Sequence, residues 1–119
     1  MACENTVLSL NPDGHTLLSK EIALRENGFR VISVSSPLQA RFEIEMGRCG
    51  LFLTSYITPV AIYRDLASLC RQSCPAGLVV YVAPHPEDEI PDADLVLSDE
   101  DEPQVIIEQI RLKREKKAS

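Results

Sequence analysis

The strongest constraint on this chain is the recurrence of short, largely apolar runs with stretches of helical length between most of them. The runs are Thr6–Leu10, Phe29–Val34, Leu51–Ser55, Leu78–Val82 and Leu95–Leu97. A strand with one face in water alternates apolar with polar residues, whereas a strand covered on both faces is apolar along its length. The runs therefore predict a parallel sheet with helices packed on either side.

The punctuation between the runs supports those helices. Asn11-Pro12-Asp13-Gly14 reads as a helix start, with Asn11 as the cap and Pro12 in the first turn, where its missing N–H costs nothing. Leu17, Leu18, Ile22 and Leu24 then recur at helical spacing, and Asn27-Gly28 ends the helix because glycine takes the left-handed conformation readily. Ser36-Pro37-Leu38-Gln39 fits a capping box for a helix running to Gly47. Thr58-Pro59 repeats the cap-then-proline signal ahead of a helix with Ile62, Leu66 and Leu69 on one face. A last helix begins near Glu102-Pro103 and turns Ile106, Ile107 and Ile110 inward. It ends among Arg111, Lys113, Arg114, Lys116 and Lys117, positive charge that complements the helix dipole.

This order predicts an α/β, flavodoxin-like three-layer sandwich whose five-stranded parallel sheet has the order 2-1-3-4-5. Residues 1–119 are expected to form a single domain, since a chain of this length is ordinary for one core. The crossing between the fourth and fifth strands breaks the pattern. Pro84, Pro86 and Pro91 remove backbone donors there, so its helix is expected to be shortened or lost.

Composition narrows the function classes. A net charge of -6 opposes binding to phosphate backbones, so nucleic acid is not an expected partner. No apolar run approaches the ~20 residues a membrane-spanning helix requires. The first residues lack the basic start and apolar core of a signal peptide, and a cytoplasmic location with reduced thiols is expected. Cys70 and Cys74 share a helical face, but zinc needs two further ligands and only His15 and His85 stand ready, so no metal is expected. Both histidines read as surface residues without a catalytic partner, and the acidic runs Glu87–Glu89 and Asp99–Glu102 as solvated loops.

From Gly28-Phe29-Arg30-Val31 to Thr54-Ser55-Tyr56-Ile57-Thr58-Pro59, the chain resembles the receiver (CheY-like) family of bacterial response regulators. The first segment is similar to the family's Gly-aromatic-x-Val second strand and the last to its Asp-x-x-x-Pro turn, with Ala40 and Gly47 at positions where the family often has alanine and glycine. The resemblance covers essentially the whole chain and implies where the phosphoryl-accepting groups should stand. The two acidic residues after the first strand fall at Asn11 and Pro12, with Asp13 following, and the acceptor aspartate at Ser55. The hydroxyl after the fourth strand falls at Val82, the lysine after the fifth at Ser98, the proline after it at Asp99, and the switch aromatic at Leu95.

Each departure removes a part of the chemistry. Magnesium is a hard cation that prefers carboxylate oxygens, and Asn11 with Pro12 offers one neutral amide oxygen. Ser55 has no base to take its proton. Val82 lacks a hydroxyl and Ser98 a positive charge, so the transferring phosphoryl group would find no electrostatic support. The resemblance thus implies a pseudo-receiver, with no enzyme activity and no cofactor, acting by contact with another signalling protein. Glu87, Asp88, Glu89 and Leu95 are the expected partner surface, because the family commonly binds partners on the face around the fifth strand; a homodimer is left open. Two alternatives keep the fold. One is a flavodoxin-like binder of a small molecule or cofactor, although the chain has no glycine-rich phosphate loop. The other is a receiver that takes phosphate through unorthodox ligands, with Asp13 moving into the site.

Overall fold

The computed structural model describes residues 5–85 and 89–118, with side chains of the final helix through residue 116. Five strands, β1 (Thr6–Leu10), β2 (Arg30–Val34), β3 (Leu51–Ser55), β4 (Leu78–Ala83) and β5 (Leu95–Ser98), form one parallel sheet in the order β2-β1-β3-β4-β5. The described helices are α1 (Leu18–Glu26), α2 (Pro37–Glu45), α3 (Val60–Ser73) and α4 (Pro103–Ala118). The three-layer sandwich and its strand order are those expected from the apolar runs.

Alternation along the strands divides the core into two layers. Leu8, Leu10, Phe52, Val79 and Tyr81 pack against Ala40 and Ile44 of α2 and Tyr63, Leu66 and Ala67 of α3. Val7, Leu53, Val80, Val82 and Leu97 face the other way, onto Leu17, Leu24, Ile106, Ile107 and Ile110. The strands β1, β3 and β4 are buried at every position, as a sheet covered on both faces requires.

Local signals held in places and failed in others. Ser36 Oγ accepts from Gln39 N at 3.2 Å, and Gly28 and Gly47 adopt φ of +89° and +73° beyond their helices. The start of α1 differs from the sequence reading: Pro12 lies in a turn, the helix begins at Leu18, and Leu17 is its cap residue. Asn11 is not a cap in the ordinary sense, since its Oδ1 reaches Leu17 N across six residues at 3.4 Å. The buried stripe shifts with it to Leu17, Lys20, Glu21 and Leu24, leaving Leu18 and Ile22 exposed. Two polar residues go inward because the interior supplies them with partners. Ser9 Oγ and Ser33 Oγ donate to the Glu21 carboxylate at 2.5 and 2.9 Å, and Lys20 Nζ donates to the Asp99 carbonyl at 3.0 Å.

Thr58 does not cap α3 either. Its hydroxyl is buried against that of Thr54 at 2.8 Å, and Pro59 occupies the cap position. Between β4 and β5 the described residues contain no helix, and Pro86, Glu87 and Asp88 lie outside them. The connection is held by two backbone carbonyls and one side chain: Tyr63 Oη donates to Pro91 O at 2.7 Å, Arg71 donates to Asp92 O, and the Asp94 carboxylate accepts from Val79 N at 2.8 Å. Among the described residues no helix is long and apolar enough to cross a membrane.

Candidate functional site

The carboxyl ends of the strands gather the positions singled out by the sequence. Ser55 closes β3 and is the register partner of Val82 in β4. Ser9 pairs with Leu53, so Asn11, just past β1, stands at the neighbouring strand end, and Ser98 closes β5 opposite Ala83. Asn11, Ser55 and Val82 are buried, while Pro12 and Asp13 are exposed. Of the expected partner surface, Glu89 is exposed and Leu95 is half-buried against the α1/α4 layer; Glu87 and Asp88 fall outside the described residues.

The polar atoms at this end are committed to local structure. Ser55 Oγ accepts from Ile57 N at 3.3 Å, and the Tyr56 amide donates to Val82 O at 3.0 Å. Asp13 accepts from the backbone N–H groups of His15 and Thr16 at 3.0 and 3.1 Å and from the Thr16 hydroxyl at 2.6 Å. These bonds, the Thr16 hydroxyl first, hold its carboxyl down at about 2 although it is open to solvent. Ser98 is absorbed into the following turn, donating its N–H to the Asp101 carboxylate and accepting Glu100 N on its hydroxyl.

Two neighbouring groups were missed by sequence reasoning. Tyr56 has its hydroxyl against the Asp99 carboxylate, which raises its pKa, and Asp13 adds to the effect. Lys20 brings a cation from α1 rather than from β5. Burial lowers its pKa while Asp99 and Asp101 oppose the shift, so the ammonium is engaged by acidic residues and by the Asp99 carbonyl. The available signal was spacing: Lys20 lies three residues after Leu17 and four before Leu24, on the stripe that those leucines bury.

The residues present do not fit the magnesium ion on which phosphoryl transfer to a receiver depends. Such an ion needs several oxygen ligands, and here Asn11 Oδ1 is turned to Leu17 N, Pro12 has no side-chain ligand, and both Asp13 oxygens are engaged by its own turn. Among the described residues no group of three or more His, Cys, Asp or Glu is arranged for a metal ion.

No protein-family model matches the sequence, and no curated protein matches it. Solved structures do. A receiver protein from Sinorhizobium medicae is 22% identical, with a TM-score of 0.74 over 94% of this chain and 95% of its own. A CheY-like receiver domain from Methanospirillum hungatei is 16% identical, with a TM-score of 0.73 over 95% of each chain. The response regulator TrrA from Thermotoga maritima, solved in complex with Mg2+ and BeF, is 10% identical, with a TM-score of 0.71 over 91% of this chain and 97% of its own. Over nearly its whole length, then, this chain has the fold of the receiver domains of response regulators.

Proposed function

We propose that this chain is a receiver-like signalling module that works by contacting another protein and accepts no phosphoryl group. The observation that carries this reading is the state of the strand ends: a buried serine bound to its own turn at the acceptor position, and an Asp13 carboxylate with both oxygens engaged by its own turn where a metal site would need free ligands. A hydroxyl with no base and no metal is a poor acceptor for phosphate, and contact with a partner is the route that this reading assigns to the signal. The prolyl connection with Glu87, Asp88 and Glu89, together with Leu95, is the proposed partner face.

The test uses the probe that TrrA carries. Magnesium at millimolar concentration, alone and with beryllofluoride, should leave the amide NMR signals near Asn11, Ser55 and Ser98 without saturable shifts. Saturable binding with a Kd below about a millimolar, an ordinary ligand affinity, would overturn the proposal.

A further inference from the structure

The opposite end of the sheet gathers three of the four cysteines. Cys49 lies two residues ahead of β3, Cys70 in the last turn of α3, and Cys74 at its C-cap. The strands β3 and β4 are parallel neighbours, so the segments entering them meet: Leu78 N donates to Gly50 O at 3.1 Å. Gly77 is packed so closely that a Cβ there would stand 3.1 Å from the carbonyl oxygens of both Cys49 and Cys74.

Cys49 is the centre of the cluster. Its Sγ lies 3.7 Å from Cys70 Sγ, and it lines one surface cavity together with Cys74. Cys49 and Cys70 are 1% exposed, whereas Cys74 is half-buried and opens, with Cys49, Gly47 and Ala76, on a surface cavity of about 200 Å³. The hydrogen bond from the Cys49 thiol, helped by the Cys49 backbone, brings the Cys74 thiol down to about 6. Hydrogen bonding to Cys70 and Cys74, together with burial, pushes the Cys49 thiol up. The accessible sulfur is the nucleophilic one, and the buried sulfur beside it keeps its proton.

We propose that Cys74 and Cys49 form a dithiol redox site whose oxidant is a hydroperoxide. The Cys74 thiolate attacks the peroxide, forming an S–O bond as the O–O bond breaks. The departing alkoxide, or hydroxide, takes a proton from solvent, and Cys74 is left as a sulfenic acid. Cys49 sulfur then bonds to Cys74 sulfur as the S–O bond breaks, and the leaving hydroxide departs as water with the Cys49 proton. Two thiols lose two electrons and two hydrogens, and the peroxide is reduced to alcohol and water. The resulting disulfide ties the entry of β3 to the end of α3. Cys70 lies on the same helix as Cys74 and is no part of the bond.

The experiment is peroxide treatment of the reduced chain, followed by non-reducing peptide mapping by mass spectrometry. A loss of about 2 Da, for two hydrogens, is expected in a Cys49–Cys74 linked peptide and is reversed by dithiothreitol. The link should persist in Cys70→Ser and Cys3→Ser and vanish in Cys74→Ser. In Cys49→Ser, dimedone should trap the sulfenic acid on Cys74. Rate-limited alkylation of the unmodified chain is a second measurement that needs no variant, and Cys74 should label before Cys49 and Cys70. A Cys49–Cys70 link with Cys74 free, oxidation confined to Cys3, no link at all, or Cys74 labelling no faster than the buried pair would each overturn the proposal.

Discussion

Substituting aspartate for Ser55 should not restore phosphoryl acceptance, and the cost of the substitution can be worked from its surroundings. Ser55 is fully buried beside Val82, and the Lys20 ammonium is already held by the Asp99 carbonyl. A buried carboxylate without a partner costs about 3–5 kcal/mol if it ionises. It can hold its proton instead, at about 1.4 kcal/mol for each pH unit above its ordinary value, or about 4 kcal/mol at pH 7. A destabilisation of about 4 kcal/mol at pH 7 is expected, a fall in Tm of roughly 16 °C at about 4 °C per kcal/mol. The sign follows from a raised folded-state pKa: the penalty grows as pH rises above the unfolded value and fades towards pH 4. Magnesium should not recover the loss in the single variant. Adding Asn11→Asp, Pro12→Asp, Val82→Thr and Ser98→Lys supplies ligands, hydroxyl and cation together. Magnesium at about 100 times its Kd should then add about 2.7 kcal/mol, or roughly 10 °C. Thermal melts with and without magnesium, and a hydroxylamine-labile phosphoryl mass after acyl phosphate treatment, are the readouts. A magnesium-dependent rise or a phosphoryl label in Ser55→Asp alone would refute the metal-ligand reasoning. A folded combined variant that ignores magnesium would show that these positions are misaligned.

Glu21→Ala should destabilise by about 3 kcal/mol, because it leaves the Ser9 and Ser33 hydroxyls without their acceptor; a loss under about 1 kcal/mol in urea melts would show that the hydroxyls find other partners. Tyr63→Phe should cost about 1 kcal/mol by releasing Pro91 O. Its effect should concentrate in faster amide exchange at residues 89–94, and uniform exchange would count against a local tether. The Asp13 carboxyl should titrate near 2 by NMR rather than near its ordinary 3.8, so its contribution to stability is present above pH 4 and lost as pH falls through 2. A midpoint near 4 would show that the Thr16 bonds do not persist in solution.

What the sequence showed of the fold was what depends on local pattern. The run Leu51–Ser55 is β3 without adjustment, Ser36 caps α2, and the three isoleucines of α4 are buried. What it hid depends on partners distant in the chain. Leu18 and Ile22 have helical spacing, yet α1 turns Lys20 and Glu21 inward because Ser9, Ser33 and Asp99 are waiting there. Thr58 has the chemistry of a cap and spends its hydroxyl on Thr54. At the strand ends, the residue types were readable, but the bonds that tie up Asp13 and bring in Lys20 were not. Cys49 and Cys74 precede parallel neighbouring strands, so their meeting could be inferred once the strand order was known, and not from their spacing.

The buried Glu21 carboxylate fixes more than its own position. The strand β2 is an edge strand, half-exposed along its length, and such strands are weakly held in register by apolar burial alone. Ser9 and Ser33 are direct register partners on β1 and β2, and both give their hydroxyl protons to the same oxygen of Glu21. A slip of one residue sets Ile32 or Val34 opposite Ser9, and a slip of two sets Val31 or Ser35 there. All but the slip to Ser35 leave the carboxylate in the core short of a donor, a larger penalty than the loss of any one apolar contact on that strand. Glu21 therefore works as an alignment key: the observed pairing of β2 with β1 accommodates it, and the pairings one residue to either side do not.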